Sequence, residues 1–212
     1  MPSPEGVSEA LGLGISEAQS ELLMRFMALL QRWNGTYNLT AVRGPAQMQT
    51  QHLADCLSVV PALRRHRAAT GAKRLLDVGS GGGLPGVVLA ALEDSLSVTC
   101  VDTVGKKVAF VRQVAAELGL RNLHTEHARV EQLKLPPFDI VTSRAFASLA
   151  DFTALTRKQL APDAVWMAMK GKRPDDEVAA LPADIEVFHV EPLLVPGLDA
   201  ERCLVWMRPK PS

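Results

Sequence analysis

Residues 75–86 read Leu-Leu-Asp-Val-Gly-Ser-Gly-Gly-Gly-Leu-Pro-Gly. An apolar run passes through Asp77 into Gly79, Gly81, Gly82 and Gly83, then reaches Pro85, a residue suited to a first helical turn. Glycines admit positive φ and carry no Cβ, so a strand that ends on them can lie against a ligand and turn its amides toward it. The next apolar run, Leu96 to Val101, stops on Asp102, where an acid accepts hydrogen bonds from a ribose diol. A glycine turn followed by a second-strand acid predicts a nucleoside cofactor at the carboxyl edge of a parallel sheet.

Gly81 to Gly86 also satisfies the Gly-x-Gly-x-x-Gly pattern of dinucleotide sites, so that pattern does not by itself choose the cofactor. Two features favour S-adenosylmethionine over NAD(P). Asp77 would repel a pyrophosphate but attract the ammonium of a methionine moiety. The glycines also fall in the Gly79-x-Gly81-x-Gly83 spacing, and Asp77-x-Gly79-x-Gly81-x-Gly83 resembles motif I of the Rossmann-like methyltransferases. The one tyrosine, Tyr37, has Ala41 four positions on, so the Tyr-x-x-x-Lys pair of short-chain dehydrogenases is absent.

At 212 residues and 47% hydrophobic, the chain can bury one sizeable core, with a small appendage as its only extra part. Lys+Arg and Asp+Glu both number 23, so no global field would hold nucleic acid, and RNA contact requires a local patch. Cys56, Cys100 and Cys203 have no Cys-x-x-Cys spacing and read as reduced buried thiols, without a metal site, in a cytoplasmic protein. The first residues lack a basic region followed by an apolar stretch, so no signal peptide is read, and no run is long enough for a bilayer. Membrane and DNA are not expected partners, and a monomer is expected.

Residues 1–14 read as loose. Ser16 with Gln19 forms a capping-box pattern ahead of a helix whose stripe is Leu22, Leu23, Phe26, Leu29, Leu30 and Trp33. Asn34 to Asn38 reads as a turn, and Pro45 as the start of a second helix carrying His52 and Asp55 on one face. These two read as helix packing or a polar link to the active-site rim. From Arg74 on, strand and helix patterns alternate, which implies parallel βαβ units. The strands are read at Arg74 to Gly79, Ser97 to Asp102, Leu123 to Glu126, Phe138 to Ser143 and Val165 to Lys170. Ile185 to Val190 and Arg202 to Met207 are joined by a loop and can pair antiparallel at the sheet edge. The fold class is therefore α/β: a Rossmann-like, seven-stranded, mostly parallel sheet with an antiparallel edge hairpin. An N-terminal helical extension, residues 1–72, packs on a core of residues 73–212.

Several blocks together resemble one family, the small-subunit rRNA guanine-N7 methyltransferases (RsmG/GidB). They are Trp33-Asn34-x-x-Tyr37-Asn38-Leu39-Thr40-Ala41, His52-Leu-x-Asp55-x-Leu57-Ser58, the glycine segment itself, Val101-Asp102-x-x-Gly105-Lys106-Lys107, and Phe138-Asp139-x-Val141-x-Ser143-Arg144-Ala145-Phe146-Ala147. The resemblance runs from about residue 20 to the C-terminus. It implies a class I methyltransferase that moves a methyl group from S-adenosyl-L-methionine to N7 of a guanine in the 530 loop of 16S rRNA, leaving S-adenosyl-L-homocysteine. The partner would be 16S rRNA or the small ribosomal subunit. A methyltransferase for a small molecule and a non-enzymatic ribosome assembly factor remain alternatives.

Guanine N7 carries an in-plane lone pair and no proton, so its methylation needs no general base. The sequence agrees with that. The Asn/Asp/Ser-Pro-Pro-aromatic tetrad of exocyclic-amine enzymes is replaced after the fourth strand by Ser143-Arg144-Ala145-Phe146, and Leu135-Pro136-Pro137-Phe138 precedes the strand. No residue is read as a certain catalyst; Arg144 and Phe146 are read as positioning groups, on the cofactor carboxylate or guanine O6 and on the guanine face respectively. Asp77 is assigned to the methionine ammonium, with a bond to loop amides as the alternative. Gly79 by its backbone and Leu84 as an apolar wall are assigned to the cofactor by the resemblance, with Gly81 and Gly83 of the same loop; Asp102 is assigned to the ribose, and Val130 and Glu131, again by the resemblance, to the adenine. The basic groups Arg64, Arg65, Arg67 and Lys73, and Lys170, Lys172 and Arg173, are candidate RNA contacts.

Overall fold

The computed structural model describes residues 3–144, 146 and 148–211. Its strands are β1 (Arg74–Val78), β2 (Ser97–Asp102), β3 (Leu123–His127), β4 (Phe138–Ser143), β5 (Leu160–Lys170), β6 (Ile185–Pro192) and β7 (Cys203–Pro209). They form one sheet in the order β3-β2-β1-β4-β5-β7-β6. β1 to β5 are parallel, and β7 lies antiparallel between β5 and β6. This is the architecture the periodicity predicts. β5 begins earlier than the apolar run at Val165, because Phe138 pairs with Leu160 before the ladder shifts.

The helices are α1 (Pro4–Leu11), α2 (Glu17–Tyr37), α3 (Pro45–Met48), α4 (Asp55–Leu57), α5 (Val60–Thr70), α6 (Gly86–Leu92), α7 (Gly105–Leu118), α8 (Leu149–Thr156) and α9 (Asp175–Ala179). A π-helical stretch, Gln49–Ala54, joins α3 to α4. Successive strand residues face opposite sides, and both sides are buried. Leu75, Val98, Cys100, Ile140 and Met167 face a large core shared with α1, α2, α5, α6 and α7. Leu76, Val101, Val141, Trp166 and Val205 face a smaller one under α8. The N-terminal helices thus share the main core with one face of the sheet. Cys56, Cys100 and Cys203 are buried free thiols.

Two local expectations are corrected. Residues expected to be loose form α1, capped by Ser3 at its start and by Gly12 at φ 63° at its end. The turn expected at Asn34 is helical to Tyr37, and Asn38 closes α2 at φ 51°. Asn34 acts through its side chain instead, donating to the Val42 carbonyl at 3.1 Å and accepting from the Thr40 amide at 2.8 Å. The basic stretch before β1 is a helix, α5. The capping box at Ser16 and Gln19 is present as read, with bonds of 3.2 and 3.0 Å. Among the described residues no helix is long and apolar enough to cross a membrane.

Candidate active site

The strand order reverses direction at β1, with β2 on one side and β4 on the other, which opens a crevice at their carboxyl ends. The glycine loop roofs it. Gly79, Gly81 and Gly83 take φ of 67°, 57° and 82°, where a side chain is disfavoured. Their amides do not face a ligand, contrary to the sequence expectation. Gly79 N–H donates to the Val101 carbonyl at 2.9 Å, Gly81 N–H to Asp102 Oδ2 at 2.9 Å, and Gly83 N–H to the Ser80 carbonyl at 2.8 Å. Acceptors from β2 and from the loop itself take them. What the glycines contribute is shape. A Cβ on Gly79 would meet nothing within 4 Å, whereas one on Gly82 would come within 2.8 Å of Leu30 Cδ1 and one on Gly86 within 2.4 Å of Cys100 Sγ.

Asp77 is fully buried beneath this loop. Its Oδ2 accepts the Gly86 amide at 2.8 Å at the start of α6, while Oδ1 is buried without a hydrogen-bond partner among the described residues. The loop-amide alternative therefore holds for one oxygen. Burial pushes this carboxyl up to about 7, against the opposing pull of the Gly86 amide and the Arg144 charge. An acid seated where α6 begins occupies the position a pyrophosphate would need, which disfavours a dinucleotide. An orphaned carboxylate oxygen suits a cationic ligand such as the methionine ammonium of S-adenosylmethionine.

The crevice holds a cavity of about 300 Å³ lined by Gly79, Asp102, Thr103, Val130, Glu131 and Phe146, among others. Asp102 also braces the loop, accepting Gly81 N–H through Oδ2 and Val104 N–H through Oδ1, both at 2.9 Å. The turn at Val130 is fixed by Gln159, whose amide donates to the Val130 carbonyl at 3.0 Å. Phe146 lies 5.2 Å from Phe152, ring to ring. Ser143 Oγ donates to the Val78 carbonyl at 2.9 Å and ties β4 to β1. Among the residues assigned to the cofactor, Gly79, Asp102, Val130 and Glu131 come together, joined by Phe146. Asp77, Gly81, Gly83 and Leu84 do not line the cavity; Asp77 lies buried beneath the loop and Leu84 packs into the main core. Thr103 and Leu155 line it without any signal in the sequence. Ala145 and Ala147, part of the block after β4, lie outside the described residues.

Arg144 lines a neighbouring cavity of about 380 Å³ with Gln51, His52, Asp55, Lys170 and Arg202. Its Nη1 donates to the Gln51 carbonyl at 3.1 Å and pairs with Asp55 Oδ2 at 3.4 Å. The ion pair is not between strands; it joins the end of β4 to α4. His52 Nε2 lies 2.8 Å from Thr40 Oγ1. Burial first, then the charge of Arg144, lowers His52 to about 4, so it is neutral at neutral pH. His52 and Asp55 thus form the polar link to the rim.

The two basic groups differ in position. Arg64 and Arg67 both bind Glu93, Arg64 at 2.6 Å, and Arg65 binds Glu191. α5 leads into the amino end of β1, opposite the cavities, and Lys73 lies there too. Their carboxylate partners argue against RNA contact for Arg64, Arg65 and Arg67, and Lys73 stands at the edge away from the cavities. Lys170 ends β5 in the lining of the Arg144 cavity, and Lys172 and Arg173 follow it. Lys170 pairs with Glu177 at 2.8 Å and Arg173 with Asp175 at 2.6 Å.

A family model described as GidB, rRNA small subunit methyltransferase G, matches residues 19–205. Over 209 residues the chain is 62% identical to ribosomal RNA small subunit methyltransferase G of Acidovorax sp. (strain JS42), covering 95% of this chain and 92% of the relative. It is 61% identical over 203 residues to the protein of the same name from Methylibium petroleiphilum, covering 96% and 91%. Among solved structures, a putative O-methyltransferase from Klebsiella pneumoniae superposes with a TM-score of 0.60 at 12% identity, covering 98% of this chain and 96% of that one. The O-methyltransferase from Bacillus cereus in complex with SAH gives 0.58 at 16% identity, with coverage of 98% and 96%. At these identities the structures speak for the fold alone.

Proposed function

This chain belongs to the GidB family of rRNA small subunit methyltransferases G, and from that premise we propose that it methylates N7 of a guanine in the 530 loop of 16S rRNA. It is an S-adenosylmethionine-dependent rRNA methyltransferase. The chemistry the cofactor supplies when bound is a methyl group on a sulfonium, open to attack by a lone pair. Gly79, Asp102, Val130 and Glu131 would hold its adenosine part, and the buried Asp77 would balance the positive charge nearby. The orphaned Asp77 oxygen and the open space over Gly79 support that fit.

The observation that carries the N7 reading is the end of β4. Ser143 there is bonded to the Val78 carbonyl, and Arg144 carries a fixed positive charge. A guanidinium offers donors to guanine O6 and takes no proton from an amine, which suits a nucleophile that has none to lose. Phe146, which lines the cofactor cavity, would stack on the guanine. Catalysis then rests on holding N7 in line with the methyl, and positioning of this kind supplies about 7–11 kcal/mol. The test is incubation with labelled S-adenosylmethionine and small subunits lacking the modification, followed by mapping of the labelled nucleotide. Label on the N7 of one guanine in the 530 loop is expected. Label elsewhere, or on an exocyclic amine, overturns the reading.

A further inference from the structure

The cavity beside Arg144 has a charge imbalance that the cofactor site does not account for. Three cations, Arg144, Lys170 and Arg202, line it with one carboxylate, Asp55. Asp55 is only 4% exposed in its side chain and is shared, taking Arg202 Nε at 2.9 Å on Oδ1 and Arg144 Nη1 at 3.4 Å on Oδ2. Lys170 is balanced by Glu177. One carboxylate between two guanidiniums leaves one positive charge uncompensated in a concave, half-buried place, and His52, being neutral, neither adds to it nor offsets it.

Resting on the rRNA reading above, we propose that this cavity binds a backbone phosphate flanking the methylated guanine, with Arg202 as its principal ligand. Arg202 is held on one edge by Asp55 and by its Nη1 bond to the Glu201 carbonyl at 2.9 Å. Its remaining donors have no other partner among the described residues, so a fixed fork faces the cavity, the geometry that phosphate recognition uses. The lining has no aromatic ring apart from the His52 imidazole, so it favours a phosphate over a stacked base. The cavity also adjoins the reaction site. Arg144 lines it and Phe146 lines the cofactor cavity, while Lys170 Nζ donates to the Phe146 carbonyl at 3.4 Å. A guanine on Phe146 therefore brings its own backbone to Arg202. Nothing in the glycine loop or in the basic clusters singles out Arg202, which follows a loop and reaches Asp55 from far along the chain.

The experiment compares methylation of unmodified small subunits by the wild-type protein, Arg202→Gln and Arg202→Lys over a range of salt concentrations, with adenosylhomocysteine affinity measured in parallel. For Arg202→Gln, the KM for subunits is expected to rise about tenfold and the slope of log KM against log salt to fall by about one, with cofactor affinity unchanged. Arg202→Lys, which keeps the charge, should keep the slope. The double variant Asp55→Asn/Arg202→Gln leaves no buried unpaired carboxylate and serves if the single variant does not fold; Arg144 then stands unpaired and keeps the net charge, so the KM is expected to rise through loss of the fork while the slope holds. An unchanged KM and slope overturn the phosphate site alone. A fall in cofactor affinity that matches the rise in KM overturns it too, by assigning the cavity to the cofactor carboxylate. Failure of the wild-type protein to methylate subunits overturns the substrate reading and this proposal with it.

Discussion

Burial of Asp77 should make folding stability depend on pH, and the proposed assignment to the cofactor's positive charge extends that dependence to cofactor affinity. Burial raises its carboxyl from the ordinary 3.8 to about 7. The folded protein therefore holds a proton that the unfolded chain has already released between those two values. By linkage, folding stability falls as pH rises from about 4 to about 7 and is level above that. At about 1.4 kcal/mol per pH unit, the ceiling on this loss is about 4 kcal/mol. A cation bound near the orphaned Oδ1 reverses the preference, because it stabilises the carboxylate. Adenosylhomocysteine, whose methionine ammonium stays charged throughout this range, should then bind more weakly below pH 7, by up to tenfold per pH unit, and reach a plateau above it. Asp77→Asn keeps the shape but has no charge to titrate. It should be more stable than the wild-type protein at pH 8 when unliganded, yet bind adenosylhomocysteine weakly and without pH dependence. Titration calorimetry at pH 5.5, 6.5 and 8, with thermal melts of the unliganded proteins at the same values, checks both halves. A wild-type Kd that is constant across that range refutes the assignment of Asp77 to the cofactor's positive charge.

Two glycines of the loop should fail in opposite ways. Gly79→Ala meets no atom within 4 Å, so apart from about 1–2 kcal/mol for a side chain at φ 67° its cost should appear as lost cofactor affinity by calorimetry. Gly86→Ala drives a Cβ to 2.4 Å from Cys100 Sγ and 2.9 Å from Asp77 Oδ2, so it should lower stability in denaturant melts by about 1–3 kcal/mol or more. Arg67→Gln removes bonds to Glu93, Ser95 and the Ala72 carbonyl. It should reduce stability by about 1–3 kcal/mol while leaving the salt dependence of subunit methylation at the wild-type slope; a shallower slope would return α5 to the RNA surface.

The strands were legible because their signal is local. Alternating apolar runs ending in Gly79, Asp102 and Ser143 place those three residues at one edge of the sheet whatever else the chain does. Partners distant in sequence leave no such trace. The run Arg64 to Arg67 looks like a free basic patch until α5 brings it against Glu93, and Asp55 and Arg202, which are 147 residues apart, become a pair only once the β5–β7–β6 edge folds back on α4.

The glycine loop shows the same division inside a single motif. Its spacing fixes where the backbone turns, but the acceptors that capture its amides belong to β2, so a reading from the motif alone aims those amides at a ligand. Its glycines also answer to different neighbours. Gly79 leaves room for a ligand, Gly86 lets α6 approach β2 and Asp77, and Gly82 admits Leu30 of α2. That last contact makes the N-terminal helix a wall of the cofactor loop. It follows that substitutions in α2 that alter Leu30 act on the same loop as substitutions within it, although the two segments share no motif.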